Sequence, residues 1–133
     1  MVGAAARRLV RERAEDRCEY CRTRQADEPF VTYQTEHVIA IQHGGGDGDD
    51  NLALACSHCN LHKGPNLAGV DPLTDAIEPL FHPRRQSWDD HFEFQGPLVA
   101  GKTPCGRATV RVLAMNAEAR VDLRYETQSS DTE

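Results

Sequence analysis

The chain has 133 residues, enough for one domain rather than two independent ones. Apolar residues make up 39% and mean hydropathy is −0.59, so the core is modest and an added staple is expected: a metal, a disulfide or a second subunit. The net charge of −6, from 15 basic and 21 acidic residues, excludes a uniformly basic surface but not a local basic groove.

Residues 4–17 place Leu9, Val10 and Ala14 at helical spacing, with Arg7, Arg8, Arg11, Arg13 and Arg17 around them. This helix reads either as a phosphate-tracking face or as a solvated face with intrahelical ion pairs. The N-terminal stretch has no apolar run followed by a cleavage site, which reads against a secretory leader, and no run of about 18 apolar residues follows. The expected compartment is the cytoplasm, with no membrane partner.

Cysteines stand at 18, 21, 56, 59 and 105, and four of them form the pairs Cys18-Glu19-Tyr20-Cys21 and Cys56-Ser57-His58-Cys59. In a reducing compartment this spacing favours metal over disulfide, because each tight turn aims two sulfurs at one ion and two turns complete a tetrahedral site. Structural Zn²⁺ at Cys18, Cys21, Cys56 and Cys59 is the expectation. A redox role would need a thioredoxin-like β-α-β pattern, which is absent. Cys105 reads as a buried neutral thiol.

Between the pairs, Phe30-Val31-Thr32-Tyr33 and the residues that follow to Ile41 read as strand, being β-branched and aromatic. Residues 43–50, rich in glycine and aspartate, form a loop. Asn51-Leu52-Ala53-Leu54 alternates and reads as a second strand, and residues 56–63 as a helix that Gly64-Pro65 ends. Pro65, Pro72 and Pro79 make residues 65–79 an irregular connector. Trp88, Phe92 and Phe94 read as core. Gln95-Gly96-Pro97 turns between strands 91–95 and 98–101. Thr103-Pro104 opens a helix, with Thr as cap and Pro at its first position, and Asn116 ends it. A last helix is expected at about 117–125, and 126–133 as a polar, flexible tail.

Glu36-His37-Val38, Gly44-Gly45, Asn51-Leu52 and Cys56-x-x-Cys59-Asn60-x-x-Lys63-Gly64, taken together and in order, resemble the HNH endonucleases in a His-Asn-Asn variant. Residues 80–92 and Gly106-Arg107-Ala108-Thr109 resemble a C-terminal extension of some bacterial members. The resemblance implies an α+β fold: a ββα-metal finger with zinc-binding cysteine pairs, flanked by helices and a short C-terminal hairpin. It implies a single domain over 1–133, with the HNH core at 18–64 and the extension at 65–125. Ala40 stands where the family often has proline, and Ala55 where leucine is common.

Phosphodiester hydrolysis needs an activated water and stabilised negative charge. His37 is the candidate general base, since imidazole titrates near neutral pH, and the resemblance assigns it that role. The plain alternative is a structural strand histidine. The resemblance makes Glu36 and Asn60 ligands of a catalytic Mg²⁺ or Mn²⁺, which hard oxygen donors suit, and gives Asn51 a hydrogen bond that fixes the His37 loop. Otherwise Glu36 is a solvated acid and Asn51 a turn residue. His62 competes with Asn60 for the ion, while His43 and His58 read as supportive. Lys63, Arg84, Arg85 and Arg107 are candidate DNA contacts, with dipole pairing or solvated charge as the alternative.

The resulting expectation is an endonuclease that hydrolyses DNA phosphodiester bonds, nicking as a monomer and cutting both strands only as a homodimer or in two events. The rival is a non-catalytic, zinc-stabilised nucleic-acid-binding or interaction module.

Overall fold

A computed structural model describes residues 2–131 and contains three two-stranded antiparallel sheets among five α-helices and three short 3-10 turns in that range. Helix α1 (Ala4–Ala14) buries Val10 and Ala14 and is closed by Glu15 in the left-handed region at φ 55°. Of its arginines, Arg11 pairs with Asp16 at 3.3 Å just past the helix end, and not all face solvent. Arg11 donates to the Tyr33 carbonyl at 2.7 Å, and Arg13 to the carbonyls of Asp49 and Leu52 at 3.0 and 2.8 Å. These bonds strap α1 to the segments that follow.

Strands β1 (Gln34–His37) and β2 (Leu52–Ala55) pair with Glu36 opposite Ala53 and His37 opposite Leu52. Every residue of β2 is buried, which suits its uniformly apolar Leu-Ala-Leu-Ala sequence. The first strand is shorter than its β-rich sequence suggests. Phe30 is 99% exposed and lies outside the strand, whereas Tyr33 turns inward and donates its hydroxyl to Glu28 at 2.8 Å. Gln25 Oε1 accepts from the Tyr33 N–H, so a side chain takes the backbone donor that a longer ladder would have used.

Helix α2 (Ser57–Lys63) starts where Cys56 Sγ accepts from the Cys59 N–H at 3.3 Å and stops at Gly64, φ 51°. The stretch 65–79, expected to be irregular, contains a hairpin of β3 (Ala68–Val70) and β4 (Ile77–Pro79). Asp71 organises its turn, accepting from the Leu73 N–H and the Thr74 hydroxyl.

Helix α3 (Trp88–His91) leads into the hairpin β5 (Phe92–Gln95) and β6 (Leu98–Gly101), as expected. Thr103 caps α4 (Pro104–Val112) by accepting from the Gly106 N–H. A Cβ on Gly106 would lie 2.1 Å from the His91 carbonyl, so only glycine allows α4 this approach. Asn116 does not end α4; it bonds both backbone groups of Val99 at 2.9 Å and ties the chain back to β6.

Helix α5 (Glu118–Asp131) continues beyond residue 125 through part of the expected tail, and residues 132 and 133 lie outside the described residues. The core joins Tyr20, Phe81, Trp88 and Phe92, with Trp88 Nε1 donating to the Tyr20 carbonyl at 2.7 Å. Phe94, expected inside, is 44% exposed and lies against the outer side of Trp88. Cys105 is buried, and burial raises its thiol pKa. Among the described residues no helix is long and apolar enough to cross a membrane.

Candidate metal centre and catalytic cleft

The four paired cysteines converge. Their sulfurs all lie within 4.8 Å of one another and are fully enclosed, with Cys21 and Cys56 at 3.8 Å. Zinc–sulfur bonds of about 2.3 Å at the tetrahedral angle set sulfurs about 3.8 Å apart, so the cluster is compatible with structural zinc. Burial pushes the Cys18 thiol well up, while hydrogen bonds, first from Cys18, hold Cys21 well below the ordinary thiol value. Four thiols this close and enclosed suit a cation that displaces their protons.

Two features tie this cluster to the rest of the molecule. Cys56 caps α2, the helix that carries Asn60 and Lys63. Arg120 on α5 holds Glu28 with two bonds, at 2.7 and 2.9 Å, and reaches the sulfurs of Cys56 and Cys21 at 3.5 and 3.8 Å. Its cation would oppose the negative charge of four thiolates around a bound zinc ion. Nothing in the local sequence around Arg120 signals this contact, because its partners lie 64 to 99 residues away.

An open cleft of about 600 Å³ lies between the end of β1, the following turn and α2. Glu36, His37 and Asn60 line it together, with Ile41 and Leu61. Glu36 is 8% exposed: the Tyr20 hydroxyl donates to its Oε1, and Lys63 Nζ lies 3.8 Å from Oε2. Burial pushes the Glu36 carboxyl up, against the opposite pull of the Lys63 ammonium.

His37 is partly exposed, and its Nε2 lies 2.6 Å from Asp47 Oδ1. That hydrogen bond holds the Asp47 carboxyl below its usual range. Asn51 accepts from the Ile39 N–H at 2.8 Å and donates to the carbonyls of Ile39 and Gly46, both at 2.9 Å. It therefore cross-ties the two ends of the loop that brings Asp47 to His37. A Cβ on Gly45 would meet the Ile39 carbonyl at 1.7 Å, so this packing requires glycine there.

His62 does not line the cleft; its Nδ1 lies 2.8 Å from the His58 carbonyl, and the His58 ring reaches Ala114. His43 is exposed. Three of the four candidate DNA contacts are engaged with partners of the protein's own. Lys63 is 2% exposed and donates to the Val38 carbonyl at 2.7 Å. Arg84 pairs with Glu19, and Arg107 grips Asp71 through two bonds at 2.9 and 2.8 Å. Each cation offsets a buried acid that a sequence does not reveal. Arg85 alone of the four is exposed, beside a recess it shares with Val38, Ile39 and Lys63. Sequence reasoning missed Tyr20 and Asp47; the position of Tyr20 inside the first cysteine pair was the available signal.

No curated protein and no solved structure matches the chain. Residues 18–66, which carry the four thiols, the Glu36-His37 strand and the Asn60 helix, match the family model of the HNH endonucleases.

Proposed function

We propose that the protein is a metal-dependent endonuclease that hydrolyses DNA phosphodiester bonds through a ββα-metal finger. The observation that carries this reading is the joint placement of Glu36, His37 and Asn60 on one cleft within the segment that matches the HNH family model. His37 accepts a proton from the attacking water. Glu36 and Asn60 would hold Mg²⁺ or Mn²⁺; their oxygen donors fit a hard cation, and the buried Glu36 carboxylate favours added positive charge. Such an ion, when bound, supplies Lewis-acid stabilisation of charge on the phosphate and the departing oxygen. The four thiols hold a separate, structural zinc. One cleft per chain nicks one strand, so a double-strand break takes a homodimer or two events.

The test is relaxation of supercoiled plasmid by zinc-loaded protein with Mg²⁺ or Mn²⁺, beside His37→Ala and an EDTA control. Nicking that needs the divalent ion and falls by about 10²–10⁴ in the variant is expected. Equal nicking by both proteins would defeat His37 as the base, and none by the wild type would leave the rival module without catalysis as the better account.

A further inference from the structure

A neutral histidine has one ring nitrogen that donates and one that accepts, and the group bonded to one decides the role of the other. In this protein the Asp47 carboxylate stands 2.6 Å from His37 Nε2, and His37 Nδ1 has no hydrogen-bond partner among the described residues. A carboxylate only accepts, so the proton between the two groups belongs to Nε2. Asp47 is not placed by chance of a mobile loop. Asn51 bonds Gly46, the residue before it, and also both backbone groups of Ile39, two residues after His37.

We propose that Asp47 is a positioning residue for His37: it fixes the neutral ring as the Nε2–H tautomer and leaves Nδ1 as the atom that takes the proton of the attacking water. The assignment of that water rests on the nuclease reading above; the tautomer assignment does not. In the step, a water O–H proton passes to Nδ1 and the hydroxide oxygen bonds to phosphorus. The P–O3′ bond breaks, and the departing oxygen takes a proton from solvent. The Asp47 carboxylate then faces an imidazolium whose charge it offsets.

The experiment uses zinc-loaded protein labelled with ¹⁵N-histidine, as wild type, Asp47→Ala, Asp47→Glu and, as a control for loss of an exposed acid, Asp90→Ala. Two-bond ¹H–¹⁵N correlations at about pH 8, where free imidazole is neutral, read the tautomer of the His37 ring. Plasmid nicking reads kcat and KM separately.

The expected result is a protonated Nε2 in wild type and Asp90→Ala and a mixture of tautomers in Asp47→Ala. The Asp47→Ala kcat falls about tenfold or more with KM and zinc content unchanged, and Asp47→Glu recovers part of it. A wild-type ring protonated at Nδ1, or an Asp47→Ala ring and kcat indistinguishable from wild type, overturns the proposal. Absence of nicking in every protein defeats the nuclease reading, while the ring correlations still decide the role of Asp47 in setting the tautomer.

Discussion

Tyr20, which stands between two of the four clustered thiols, donates its hydroxyl to Glu36 on β1. The cysteine turn therefore does more than hold sulfur: it delivers a hydrogen-bond donor to a buried carboxylate at the cleft. Tyr20→Phe removes the donor and little volume, and is expected to destabilise the protein by about 2 kcal/mol, the scale for hydrogen bonds to charged groups. Urea unfolding of the zinc-loaded protein measures it, with zinc content as the check that the cluster is intact.

Lys63 and Glu36 are buried together, so removing one leaves the other without its counter-charge. Lys63→Met is expected to cost on the order of 3 kcal/mol at neutral pH. Loss of the ammonium raises the folded-state pKa of Glu36 further, and an acid with a raised folded pKa loses stability as pH rises. The deficit should therefore deepen from acid toward neutral pH. Adding Glu36→Gln to Lys63→Met should recover most of it, and equal deficits in the single and double variants would count against the pairing.

Asp71 responds to pH in the opposite sense. The Arg107 guanidinium holds its carboxyl down to about 2. With an unfolded value near ~3.9, its contribution is fully present above pH ~4 and is lost as pH falls toward about 2. Asp71→Asn is expected to flatten the fall of Tm across that window, and a curve parallel to the wild type would argue against this linkage.

Asn51 makes three hydrogen bonds that close the loop over residues 39–46. Asn51→Ala is expected to lower stability by about 2–3 kcal/mol, at roughly 1 kcal/mol per bond. Faster amide exchange at Ile39, whose N–H loses its acceptor, localises the effect. Nicking should fall with it, since Asp47 is no longer held to His37.

Chelation tests the sulfur cluster directly. One zinc per chain is expected, and its removal should abolish cooperative unfolding, since structural zinc sites in small domains contribute folding energy outright. Arg120→Met should leave zinc bound but speed its loss to a chelator, because the cation facing the Cys21 and Cys56 sulfurs is gone.

What the sequence made legible follows the range of the interactions. Helix α2 was readable because its start and stop are local: Cys56 caps it and Gly64 ends it. The hairpin over 92–101 was readable because Gln95-Gly96-Pro97 is turn chemistry in itself. Phe30 and Val31 misled, since strand propensity says nothing about whether a partner strand is present. The β3–β4 hairpin was hidden among prolines and depends on Arg107, far along the chain, gripping Asp71. At the cleft, the resemblance to the HNH endonucleases singled out Glu36, His37 and Asn60, and the fold brings the three to one cleft. The inward turn of Lys63 could not, because only the folded chain brings a buried carboxylate to meet it.

The grip of Arg120 on Glu28, across 92 residues, has a consequence for biosynthesis. As the polypeptide leaves the ribosome, both cysteine turns and α2 emerge well before α5 does. Until α5 arrives, the sulfurs lack the Arg120 guanidinium beside them, so a prematurely terminated product is expected to lose zinc and oxidise more readily than the finished protein.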